Sequence, residues 1–287
     1  MVRFLPFRRQ EPGIQAEAMI RREGRIVHTS RDQWGEIVVT DTPLNRYLYF
    51  DSHYKQSGMS LLHPAILVLR YTTLMAAGLI FRPPRSVLLI GLGGGALARF
   101  LRHYFPDCRI DAVELRERVV EVAHAYFRVP ENDPLLRCHV ADGRDFLFNA
   151  PQAFSDYDLV FLDAFDDHGP SPTVTVSDIY QAVAERLAPG GVMCANLWNR
   201  RCDDFKGHWA SARKAFGDRT LKYQIDRHNS NVVLLGFTGP IPDLGAAAPR
   251  RVAADLSARV GLDLEDTLRG LRRQNASRLR QLLGLPA

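Results

Sequence analysis

The sequence predicts an α/β chain: an open, mainly parallel sheet, a small β-region before it and a helical tail after it. Three patterns in the 287 residues lead there. From Arg85 onward short apolar runs alternate with amphipathic ones, as expected of successive strand–helix–strand units. Residues 24–50 instead carry β-branched and aromatic residues broken by turn formers. Beyond a Pro- and Gly-containing stretch at 239–249, apolar residues recur at helical spacing.

Taken in order, Glu36-Ile37-Val38-Val39-Thr40 and Arg46-Tyr47-Leu48-Tyr49-Phe50 read as two strands of a hairpin. Asp41-Thr42-Pro43-Leu44-Asn45 supplies the turn. Residues 60–80 read as a buried helix, stopped by Arg82-Pro83-Pro84. Its apolar run is interrupted by His63, Pro64 and Arg70, unlike a membrane span of about 20 unbroken apolar residues. Ser86-Val87-Leu88-Leu89-Ile90 is a continuous apolar strand suited to burial on both faces. A helix at 96–104, a strand at 109–114, a helix at 118–127 and strands at 136–140, 158–163 and 191–197 follow. A helix at 176–187 precedes the last of these and ends at Ala188-Pro189-Gly190-Gly191. Residues 221–225 and 232–237 form an antiparallel hairpin at the sheet edge. Val252, Leu256 and Val260, then Leu264, Leu268 and Leu271, predict two amphipathic tail helices. The organisation expected is a β-hairpin region at 1–59, a catalytic domain at 60–238, and a linker and helical tail at 239–287.

Composition narrows the function. The formal charge is +5, but residues 1–30 carry +3 and residues 250–287 carry +4, so the body between them is slightly acidic. Nucleic acid binding wants a clustered basic face, which this body does not offer, so no nucleic-acid partner is expected. Cys108, Cys138, Cys194 and Cys202 show no metal-ligand spacing and fit a reduced, cytoplasmic protein. No metal is expected. The first ten residues lack the apolar core of a secretory signal.

The candidate chemistry lies where strands end. Gly91-Leu92-Gly93-Gly94-Gly95 follows the first parallel strand and opens a helix, the Rossmann-like arrangement for bringing a ligand onto backbone amides. Glu114 closes the next strand 23 residues after Gly91, where a carboxylate can accept ribose hydroxyl protons. That spacing fits a nucleoside cofactor in general, a nicotinamide dinucleotide included. Asp142-Gly143 after the third strand suits an adenine amine, and Asp163 ends the fourth. Ligands of open parallel sheets sit beyond these carboxyl ends.

Together, residues 90–96, Ala112-Val113-Glu114, 141–147, 157–166 and 187–192 resemble the spermidine synthase (polyamine aminopropyltransferase) family. The resemblance covers about residues 30–238. It implies a seven-strand methyltransferase-type sheet behind a small β-domain. It further implies that Glu114 and Leu115 hold the nucleoside, Asp142 and Gly143 the adenine, and Asp163 the amino end of the donor's tail. Gln56 matches a family glutamine near the reacting groups. Asp166 matches the acid that orients and deprotonates the attacking amine, so Asp163 and Asp166 are the catalytic candidates. The donor is then S-adenosylmethionine (SAM) or its decarboxylated form, and the acceptor a small amine, polyamine or other, with a homodimer left open. Departures accompany the match: Gly94 stands where the family has an aspartate, Gly58-Met59 where it has Asp-Glu, and Leu62-His63-Pro64 where it has Tyr-His-Glu. The expected function is alkylation of an amine by a SAM-type sulfonium, by aminopropyl transfer on family resemblance. Methyl transfer to an amine or protein is the alternative, and a non-catalytic nucleoside-binding protein the second.

Overall fold

The computed structural model describes residues 24–51, 54–163, 165–166, 169–170, 178–198, 202–224 and 231–276. Four antiparallel strands come first: β1 (Arg25–Asp32), β2 (Gly35–Asp41), β3 (Asn45–Tyr49) and β4 (Lys55–Ser60). They form a meander in that spatial order. The hairpin read at 36–50 is thus its middle pair, joined by an outer strand on each side. Ile37, Val39, Leu48 and Met59 point from this sheet onto Val119, Val122 and Phe127 of helix α3 (Glu117–Phe127), which ties the small sheet to the main body.

The predicted helix at 60–80 is much shorter than expected. Only α1 (Arg70–Met75) and a 3-10 turn (Ala76–Ile80) are helical. Residues 60–69 are β4's last residue and an irregular run in which Ser60 Oγ accepts from the His63 N–H at 3.1 Å. Pro64 has no N–H to continue a helix, and Leu69 is extended, so winding begins only at Arg70.

The main sheet follows: β5 (Ser86–Ile90), α2 (Ala96–Tyr104), β6 (Arg109–Glu114), α3, β7 (Leu136–Val140), α4 (Gly143–Asn149), β8 (Tyr157–Leu162). Two-residue strands β9 (Phe165–Asp166) and β10 (Gly169–Pro170) pair with each other. Then come α5 (Ile179–Arg186), β11 (Leu187–Trp198), α6 (Cys202–Phe216), β12 (Thr220–Gln224) and β13 (Asn231–Phe237). The sheet order is β12-β13-β11-β8-β5-β6-β7, parallel from β11 to β7, with β13 and β12 antiparallel at one edge. Helices α4 and α6 are absent from the sequence reading. The chain runs outward from β5 to β7 and then returns to the other side of β5 as β8. The order therefore reverses between β5 and β8, and that is where such sheets open a crevice.

The tail helices α7 (Ala247–Val260) and α8 (Leu264–Gln274) bury Leu256, Val260, Leu264, Leu268 and Leu271 in the same core as Leu79 and Tyr223. At the end of α8, side-chain amides reach the edge strand β12. Asn275 accepts from the Lys222 N–H at 3.2 Å and donates to the Lys222 carbonyl at 2.9 Å. Gln274 does the same at Gln224, at 2.9 and 3.0 Å. Cys108, Cys138 and Cys194 are free thiols, all pushed up by burial, to about 12, 11 and 12. No helix among the described residues is long and apolar enough to cross a membrane.

Candidate active site

Backbone bonds beyond the ends of the ladder align the four candidate positions along the carboxyl edge of the sheet. Gly91 N–H donates to Val113, Ala141 N–H to Glu114 and Asp163 N–H to Ile90, at 2.8, 3.0 and 2.8 Å. With strands ordered β8-β5-β6-β7, Asp163, Gly91, Glu114 and Asp142 fall in one row. Three strand spacings of about 4.8 Å make that row about 14 Å long, the scale of a nucleoside with a short tail.

The glycine loop is shaped by its residues. Gly91, Gly93 and Gly95 have φ of 93°, 53° and 68°, a region side chains rarely enter. Gly94 is required for a different reason: a Cβ there would lie 2.8 Å from Ser57 Oγ and 3.0 Å from Phe127 Cδ1. Arg99, buried in α2, donates to the carbonyls of Gly94, Pro64 (3.0 Å) and Gly58 (3.5 Å). Burial and nearby Arg128 lower its pKa to about 9.

Glu114 is buried at the end of β6 and grips this loop. One carboxylate oxygen accepts from the Leu92 and Gly93 N–H groups at 3.0 and 3.1 Å, and the other from Arg116 N–H at 3.2 Å. Of the roughly four acceptor positions of a carboxylate, three are engaged among the described residues, leaving room for one ligand hydroxyl. Leu115 beside it is an exposed apolar side chain. Arg116 braces this turn against the small sheet through Asp32 (2.8 and 3.0 Å) and the Gly35 carbonyl (3.0 Å). Asp142 caps α4, accepting from the Arg144 and Asp145 N–H groups at 2.7 and 3.2 Å through one oxygen. Gly143 is buried behind it.

The other end of the row holds a buried carboxyl. Burial drives the Asp163 carboxyl up to about 6, opposed by hydrogen bonds from Asn196 and Tyr71 and assisted by the charge of Glu114. Asn196 Nδ2 donates to Asp163 Oδ1 at 2.9 Å, and Asn231 Nδ2 donates to Asn196 Oδ1 at 2.9 Å. Tyr71 on α1 bonds to Asp163 and also donates to the Gln56 carbonyl at 3.2 Å. Its own pKa rises well above the ordinary value through burial and the neighbouring carboxylate. Gln56, on β4, is thereby linked to Asp163 through Tyr71 by its backbone carbonyl.

The structure thus gathers Gln56, the glycine loop, Glu114, Leu115, Asp142, Gly143 and Asp163 along one edge. Asp166 lies in β9 by its backbone, but its side chain, like Asp167 and His168, lies outside the described residues. Tyr71, Asn196, Asn231 and Arg99 are additions to the sequence reading. Asn196 had a signal: a polar residue within the buried run Met193-Cys194-Ala195-Asn196-Leu197. Leu62, set against the family tyrosine, is 70% exposed, and a tyrosine does reach the site from further along the chain, as Tyr71.

Four matches to known proteins stand beside this geometry. Residues 69–200 match the spermine/spermidine synthase domain. A polyamine aminopropyltransferase of Chromobacterium violaceum is 30% identical over 285 residues, 97% of this chain and 99% of that protein. A spermidine synthase in complex with the transition state analogue AdoDATO shares the fold at TM-score 0.67 and 18% identity, over 91% of this chain and 88% of that one. Human methyltransferase-like protein 13 in complex with SAH aligns at TM-score 0.50 and 29% identity, over 69% of this chain and 89% of that one.

Proposed function

We propose that this chain, which belongs to the spermidine synthase (polyamine aminopropyltransferase) family and is therefore a transferase, alkylates a small amine with a SAM-type sulfonium donor, by aminopropyl transfer. The row of Gly91, Glu114, Asp142 and Asp163, ending in the Asp163–Tyr71 pair, is the observation that carries this reading. Glu114 and Leu115 hold the ribose and base, with Asp142 and Gly143 at the adenine. Asp163, ionised at neutral pH because its pKa is about 6, holds the cationic end of the tail. The amine forms its new N–C bond as the C–S bond breaks. Alignment supplies most of the rate, since a sulfonium already activates its neighbouring carbon. The attacking amine must shed a proton, and Asp166 is the carboxylate assigned to take it.

A second reading, methyl transfer from SAM, rests on Gly94. An acid at that position would face the donor's carboxylate, and two like charges about 4 Å apart repel by roughly 4 kcal/mol at an effective dielectric near 20. Gly94 has no such charge, and Ser57 and Phe127 leave no room for one. Resemblance to a human methyltransferase crystallised with SAH points the same way.

One experiment separates the readings: incubation with each donor and a pool of amines, followed by identification of the nucleoside released. Methylthioadenosine means aminopropyl transfer and S-adenosylhomocysteine means methyl transfer. Neither product, with a nucleoside still bound, means a binding protein.

A further inference from the structure

We infer that Asn196 and Asn231 are positioning residues, a two-amide relay that fixes the orientation of the Asp163 carboxylate at the reacting end of the site. The inference rests on the transferase reading above, in which Asp163 faces the donor tail.

Geometry and hydrogen-bond chemistry determine the direction of the relay. An ionised carboxylate only accepts, so at 2.9 Å Asn196 must present its NH2 to Asp163 Oδ1. Its carbonyl then faces Asn231, which at 2.9 Å must present its own NH2. Both amides are therefore polarised the same way, with their donors toward Asp163, and each bond strengthens the next. Asn196 is 2% exposed near the end of central strand β11, in a run otherwise apolar. Asn231 begins β13, directly across from Trp198. A buried amide in that setting is costly unless both its ends are satisfied, and here each end has one partner. Among the described residues, the other groups facing Asp163 are Tyr71 from α1 and Glu114 from β6; the glycine loop adds no charge. Tyr71 also donates to the Gln56 carbonyl, so its single proton is shared between two acceptors. The amide relay is the donor to Asp163 that has no competing acceptor among the described residues.

Replacing Asn231 tests the relay from outside, since Asn231 does not touch Asp163. Asn231→Ala leaves Asn196 free to turn. Asn231→Asp is nearly isosteric but can only accept, so it draws the Asn196 NH2 away and turns a carbonyl toward Asp163. The relay therefore predicts that Asp is worse than Ala and that this excess vanishes when Asn196 is also Ala; the direct charge of the new carboxylate would persist in that background, and a packing role predicts Ala worse than Asp. The readout is the ¹³C-carboxyl titration of Asp163 in the ligand-free protein, assigned with Asp163→Asn. The midpoint should rise by about half a pH unit or more in Asn231→Ala and further in Asn231→Asp. The acid limb of the kcat–pH profile should follow the same order, with kcat down about tenfold in Asn231→Ala. Asn196→Ala should match or exceed that loss, and adding Asn231→Ala to it should change nothing more. An unmoved midpoint in Asn231→Asp, or Ala worse than Asp, overturns the relay. Midpoints that move as expected in a protein that consumes neither donor support the relay and defeat the transferase reading instead.

Discussion

Replacing Glu114 by Ala removes the acceptor of three backbone N–H groups at once, those of Leu92, Gly93 and Arg116, at 3.0, 3.1 and 3.2 Å. Hydrogen bonds to a charged acceptor contribute about 1.5–3 kcal/mol each. Gly93 is partly exposed, so water reaches part of the vacated space and recovers some of that loss. The expected destabilisation is about 2–4 kcal/mol, in the range of a broken buried network. Glu114→Gln keeps one carbonyl oxygen, and its least costly orientation serves Leu92 and Gly93 while opposing the Arg116 N–H alone. That variant should lose only about 1–2 kcal/mol. Both variants forfeit the remaining carboxylate position, the one proposed to take a ribose hydroxyl, so nucleoside affinity should fall by about 10- to 150-fold. Denaturant unfolding of the ligand-free proteins measures the first effect. Calorimetry with methylthioadenosine and S-adenosylhomocysteine measures the second. An Ala variant unfolding at the wild-type midpoint would show that the glycine loop stands without Glu114. Unchanged affinity for both nucleosides would remove Glu114 from the site.

Asp166→Asn should keep nucleoside binding and lose about 10²-fold or more in turnover, as expected when a proton acceptor is lost; wild-type turnover would make Asp166 an ordinary loop acid. Gly94→Ala should cost about 1–3 kcal/mol by overpacking against Ser57 and Phe127, and Gly94→Asp at least as much. If Gly94→Asp folds at wild-type stability, crowding does not explain the glycine, and a selective loss of SAM over decarboxylated SAM in that variant then supports the charge account. The Asp163 carboxyl is raised from 3.8 to about 6, so the folded state holds its proton more tightly than the unfolded chain. Its contribution is therefore fully present below about pH 4 and is lost as pH rises through 6. The stability of wild type relative to Asp163→Asn should fall across that window, by up to about 3 kcal/mol. A flat difference from pH 4 to 7 would refute the raised carboxyl.

The parallel core was legible because burial on both faces leaves a plain mark. Strands such as Ser86–Ile90 are continuous apolar runs closed by glycines, and no tertiary contact is needed to read them. The small sheet was read in its middle pair, where Val38, Val39 and Tyr49 are apolar. Its outer strand β4, Lys-Gln-Ser-Gly-Met-Ser, has almost no β-forming composition and is a strand because β3 pairs with it. The helix at 60–80 is predicted too long because apolar content does not show that Leu69 is extended, at φ −87° and ψ 130°, so that winding begins only at Arg70. The candidate residues at strand ends could be placed along one edge of the sheet by position alone. Tyr71 and Asn196 could not be, because their role comes from meeting Asp163 across 92 and 33 residues of sequence separation, nor could Asn231, which meets Asn196 across 35. Glu114 was found, but its grip on the glycine loop depends on the fold of backbone amides, which side-chain patterns do not encode.

The two amides that end α8 have a consequence for how the chain can be divided. The composition of residues 239–249 invites a cut there, as if the tail were an appendage. Yet Gln274 and Asn275 occupy the outward donors and acceptors of Lys222 and Gln224, standing in for the strand that β12 lacks. Without them the sheet would end in a bare edge, the template on which strands of other copies add. The tail thus acts as a stopper: a chain cut in the linker would lose both the helices that complete its core and the amides that close its edge, and would gain a surface that recruits its own kind.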